Sequence, residues 1–109
     1  MGGTRHHKLR EASLKTPGET PEKLRLRIAH YGRDVAKGRT IMARLDAPVE
    51  RLVDLIARES HLVGDKEVED VRAAGYTDAA IFEIAVVAAV ACGLQRLEDA
   101  MELVQESER

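Results

Sequence analysis

A chain of 109 residues has room for one hydrophobic core, and its single cysteine, Cys92, excludes an internal disulfide and any cysteine-based zinc centre. Only 3% of the residues are aromatic, so the core must be built from Ala, Val, Leu and Ile, which pack helices closely but bury little area per residue; self-association is the expected remedy. The net charge of −2 conceals a strong polarity, because residues 1–45 carry +7 and residues 46–109 carry −9.

Residues 1–19, with Gly2, Gly3, His6, His7, Pro17 and Gly18, show no periodicity and read as a disordered or loosely docked basic arm, and 20–109 as a single helical domain. Two adjacent histidines in such an arm make no metal site, and none is expected elsewhere. Order begins at Thr20-Pro21-Glu22, with Thr20 as the expected N-cap and Pro21 in the first helical position. Leu24, Ile28, Tyr31 and Val35, continued by Met42 and Leu45, form one amphipathic stripe. Gly32 and Gly38 interrupt it, predicting either a break near 37–39 or a close approach by another helix.

Asp46 and Pro48 mark a stop and restart, and Val49, Leu52, Val53, Leu55, Ile56 and Leu62 predict a second helix ending near Gly64. Asp65 is expected to cap a short third helix that runs through Ala74, with Gly75 ending it in a left-handed conformation. Thr77 and Asp78 open a last helix reaching about Gln105. Between Ala79 and Leu94 this helix is apolar nearly all round, so it must be central in the bundle or lie in an interface.

The opposed charge halves point first to self-complementarity, within the chain or between copies, and second to a polyanionic partner. Tyr31 alone gives no stacking platform, which argues against nucleic acid. The basic N-terminus lacks an apolar run behind it, and the uncharged stretch Ile84 to Leu94 falls short of the roughly 20 residues that span a bilayer. No membrane partner is expected, and a lone thiol fits a reducing cytoplasm.

Val71 to Met101 reads VRAAGYTDAAIFEIAVVAAVACGLQRLEDAM and resembles the carboxymuconolactone decarboxylase and alkylhydroperoxidase D-like superfamily. In that group a helix ending in Arg-Ala-Ala-Gly leads through a Thr/Ser-Asp turn into a long alanine-rich helix. Arg72, Gly75, Thr77, Asp78, Ile81 and Glu83 match, and Gln95-Arg96 stands where Asn-Arg is commoner. The resemblance covers about a third of the chain and implies an all-α orthogonal bundle of about four helices that assembles into homo-oligomers. The peroxidase members use a Cys-x-x-Cys pair preceded by a glutamate and followed by a histidine. This chain has Gln95 three residues after Cys92 and no second thiol, so the thiol mechanism does not carry over.

The expectation is therefore a non-redox oligomeric protein, either small-molecule-binding with an unknown ligand or subunit-type, with no cofactor and no assigned catalysis. Two alternatives stand beside it: an acid/base enzyme related to lactone decarboxylation, and an interaction module using the basic front half. Cys92, set in Val90-Ala91-Cys92-Gly93, reads as a buried hydrophobe with Arg96 its only local cation. Glu83, the one charge in the most apolar helix, is the first residue suspected of function; it either points outward or is buried with a partner such as Arg72. Meeting His61 and Arg96 in one cavity, it could transfer protons. The segment Gly75 to Ile81 also resembles the turn into a DNA-recognition helix, but the apolar helix behind it has no polar side chains to offer base edges.

Overall fold

The computed structural model describes residues 20–41 and 44–108. Residues 1–19, expected to form the basic arm, lie outside the described residues, as does Met42. Four α-helices follow in chain order: α1 (Glu22–Lys37), α2 (Ala47–Glu59), α3 (Asp65–Ala73) and α4 (Asp78–Ser107). A 3₁₀ turn, Ser60–Leu62, joins α2 to α3, and no strand occurs among the described residues. The protein is an all-α bundle.

Helix ends show where local chemistry decides and where a distant group intervenes. At the start of α1, Pro21 occupies the N-cap in extended conformation (ψ 146°), with no side-chain cap. Thr20, expected as the cap, lies one residue before it, and its N–H and its hydroxyl both donate to Glu83 on α4, at 2.7 and 3.0 Å. The helix stops at Gly38 (φ 74°), whose N–H bonds to the Val35 carbonyl while the Arg39 N–H bonds to that of Asp34. This double bond pattern needs a left-handed residue, and it resolves the alternatives at Gly38 in favour of a break.

The second helix is shorter than expected, ending at Glu59 before the 3₁₀ turn instead of running to Gly64. Asp46 stands at its N-cap without capping; its carboxylate accepts from the Tyr76 hydroxyl at 2.8 Å. In α3 the cap is Gly64 and not Asp65, which is the first helical residue, and the Glu67 carboxylate reaches back to the Gly64 N–H at 2.9 Å. Gly75 has the expected positive φ, 104°. Thr77 caps α4 as its sequence position requires, accepting the Ala80 N–H at 3.1 Å. Thr77→Ala removes that bond while Thr77 itself is exposed, so the expected loss is about 1 kcal/mol, read as a lowered urea midpoint at unchanged m-value.

The core lies where α1 and α2 close on one side of α4. Ile28, Tyr31 and Val35 come from α1, Val49, Leu52, Val53 and Ala57 from α2, Val71 from α3, and Ile81, Ile84, Val87, Ala88, Ala91 and Cys92 from α4. Pairings along α1 and α4 rise together, from Thr20–Glu83 through Gly32–Cys92 to Lys37–Asp99, so the two helices run parallel. Gly32 permits a close approach: a Cβ there would stand 3.2 Å from Cys92 Sγ.

Part of the charge polarity is satisfied within the chain. Arg33 reaches Glu98 at 3.4 Å and Lys37 reaches Asp99 at 2.6 Å, joining the basic end of α1 to the acidic stretch of α4, while Arg44 meets Glu50 at 3.1 Å. Lys37 holds the Asp99 carboxyl below its ordinary range. The surface setting makes each pair a modest contributor.

Candidate functional site

Glu83 sits one turn and a half into α4, partly buried, on the side that meets the start of α1. Its carboxylate accepts both Thr20 donors. Arg72, the partner anticipated from sequence, is engaged elsewhere: its Nε donates to Asp78 at 2.8 Å and its Nη1 contacts Glu69. Those two carboxylates lie within one turn of the α3–α4 junction, nearer than any group deeper along α4. Glu83 thus acts as a clasp holding Thr20 against the long helix, a structural use of a charge in an apolar sequence.

The other two residues of the suspected constellation do not gather around it. His61 is exposed in the 3₁₀ turn, and Arg96 is exposed on α4. Thirteen residues separate Glu83 from Arg96 on one continuous helix, and at 1.5 Å per residue that is about 20 Å along its axis. One substrate within a single chain does not reach both.

Cys92 is 1% exposed, and its thiol donates to the Gly32 carbonyl at 3.3 Å. Burial pushes the thiol above its usual pKa, outweighing the opposing influence of Arg96. Low exposure and a raised pKa both suppress the thiolate that attacks peroxides or disulfides. Native protein is expected to leave Cys92 unreacted toward a thiol reagent such as DTNB over minutes at pH 8, and to release one equivalent once unfolded in guanidinium. Rapid native reaction would contradict this geometry. Among the described residues, no group of three His, Cys, Asp or Glu side chains could hold a metal.

A cleft of about 350 Å³, open to solvent, lies between the start of α1, residues 44–46 and the turn before α4, lined by Leu24, Arg27, Arg44, Leu45, Asp46 and Tyr76. Tyr76 donates to Asp46, and burial together with that carboxylate raises the phenol pKa, so Tyr76 is a hydrogen-bond donor there and a poor base. Arg27 and Arg44 stand at the edge of the cleft beside the Asp46 carboxylate, and Arg44 meets Glu50 at 3.1 Å. Sequence reading missed it, because its walls come from three segments far apart in the chain.

Compared with family models, curated proteins and solved structures, the chain finds no match. Its own surface is therefore the guide to function.

The most unusual surface is on α4. One side of the helix is buried, through Ala80, Ile81, Ile84, Val87, Ala88, Ala91 and Cys92, yet the opposite side is equally apolar and bare. Phe82 is 70% exposed, Val104 57% and Leu97 40%. By length and composition Asp78–Ser107 is apolar enough to cross a membrane, and half of its most apolar stretch is buried inside the bundle. The charge-free run Ile84 to Leu94 understated it, because the isolated charges Glu83 and Arg96 interrupt a longer apolar helix.

Proposed function

We propose that this chain is a non-redox, alkylhydroperoxidase D-like helical subunit that works by assembling with other subunits and not by thiol chemistry. The observation that carries this reading is the uncovered apolar face of α4. The largest contiguous apolar patch on a protein is often functional, and an extended one marks a protein or membrane interaction site. The absent Cys-x-x-Cys pair and the buried Cys92, with its raised pKa, support the non-redox half of the reading. The cleft edged by Arg27 and Arg44 is where a small ligand would enter such an assembly. The acid/base alternative draws less support, since Glu83 is clasped to Thr20 and stands about 20 Å along α4 from Arg96.

Molecular mass in solution, by light scattering at low and high salt, tests the reading. An apolar contact is not screened by ions, so an oligomer is expected at both. A monomer at both salts would sink it, and an oligomer dissolving at high salt would move the contact to the charged surfaces.

A further inference from the structure

On α4 the exposed positions Phe82, Val86, Ala89, Gly93, Leu97, Ala100 and Val104 follow one another at intervals of four, three, four, four, three and four. All seven are apolar or lack a side chain. Intervals of this kind keep residues on one helix face, and eleven residues on either side of Gly93 give a period close to that of a straight helix. The strip runs about 33 Å from Phe82 to Val104. No charged residue occurs from Ile84 to Gln95; Glu83 stands beside the Phe82 end of the strip and Arg96 beside Leu97.

The spacing is the same read forwards or backwards from Gly93. We infer that the strip binds the same strip of a second copy, antiparallel, with the two-fold axis passing at Gly93; this deepens, and rests on, the proposal that the chain is an assembling subunit. Such an axis is isologous, so residue pairs add up symmetrically. Phe82 then faces Val104, Val86 faces Ala100 and Ala89 faces Leu97, each layer setting a larger side chain against a smaller one. At the centre Gly93 meets its own copy. A Cβ at Gly93 would find nothing within 4 Å in the single chain, so the glycine is not required by the fold described above, and its missing side chain lets two helices approach closely.

Two further features favour a second copy in this orientation. At their exposures the large side chains of the strip and its edges (Phe82, Val86, Leu97, Met101, Leu103 and Val104) offer on the order of 500 Å² per chain, so a pair buries on the order of 1,000 Å², about the area a biological interface must clear. Charge selects the direction: Glu98, Asp99, Glu102, Glu106 and Glu108 all follow Gly93, while Glu83 is the only carboxylate between Ala79 and Gly93. Parallel helices would set two acidic ends side by side, and antiparallel ones place each acidic end against the nearly uncharged half of its partner.

Cysteine cross-linking of the full-length chain distinguishes the arrangements. Ala89→Cys mixed with Leu97→Cys is expected to form a disulfide-linked heterodimer under mild oxidation, while either variant alone does not, because the two copies of residue 89 stand about 12 Å apart along the axis. Buried Cys92 contributes no cross-link. Leu97→Glu, at an exposed site, is expected to keep helical content and halve the mass seen by light scattering. An oligomer that persists with Leu97→Glu, or in which Ala89→Cys links to itself, would overturn this interface and leave the assembly reading standing. A wild-type monomer would overturn both, and binding of that monomer to neutral lipid vesicles would give the strip a membrane as its occupant.

Discussion

Ile84→Ala is expected to destabilise the domain by about 3–4 kcal/mol and to lower its Tm by roughly 15–25 °C. Ile84 is 0% exposed and stands on the buried face of α4 within the core that α1 and α2 close over. Removing its side chain forfeits burial and leaves a cavity among close-packed neighbours that relax only partly into the gap. Urea titration followed by circular dichroism checks this. Leu62→Ala, at a residue 51% exposed in the 3₁₀ turn, is the control and should change stability by less than about 0.5 kcal/mol. Equal effects at the two positions would mean that α4 is not packed as described.

Gly32→Val carries the second large effect, from the opposite cause. The helical backbone at Gly32 would tolerate any residue, and valine has the higher helix propensity. Space is what forbids it: the Cβ alone would stand 3.2 Å from Cys92 Sγ and 3.7 Å from both the Ala88 carbonyl oxygen and Val53 Cγ1. Two further carbons must push α1 away from α4, at a cost of about 2–3 kcal/mol. Gly32→Ala should come out near neutral, its tight contact set against a propensity gain of up to about 1 kcal/mol. Because the obstructing atom is a side-chain sulfur, the double variant Gly32→Val, Cys92→Ala should recover about 1 kcal/mol relative to the sum of the singles. Strict additivity would show that the two residues are not in contact.

Where a helix end depends on its own neighbours, the sequence was readable. Thr77 caps α4 because a hydroxyl beside three orphan amides has few better partners, and Gly38 and Gly75 end α1 and the turn after α3 because positive φ excludes other residues. The buried state of Cys92 followed from its apolar surroundings in the same way. Thr20 shows the limit. Its hydroxyl is equally suited to capping α1, but Pro21 takes the N-cap position and a carboxylate 63 residues away holds both Thr20 donors. Arg72, one partner the sequence allows Glu83, is held instead by Asp78 and Glu69.

The same boundary divides the candidate sites. His61, Glu83 and Arg96 were grouped because their side chains could do proton chemistry together, and the rise of one helix keeps Glu83 and Arg96 apart. The cleft around Tyr76 went unread because Leu24, Arg27, Arg44 and Asp46 become neighbours only through the loop that returns α2 against α1.

By itself the sequence determined the all-α class, the positions of the glycine stops, the Thr77 start and the absence of a cysteine pair, since each depends on residue type and on spacing along a few turns. Only the tertiary structure decided which side of α4 is covered. That helix is apolar on both faces, so its periodicity is silent about which one meets α1 and α2. The choice follows from long-range packing: Gly32 admits Cys92 and Ala88 against α1, Thr20 clasps Glu83, and Lys37 draws in Asp99, which leaves Phe82, Gly93 and Leu97 turned to the outside.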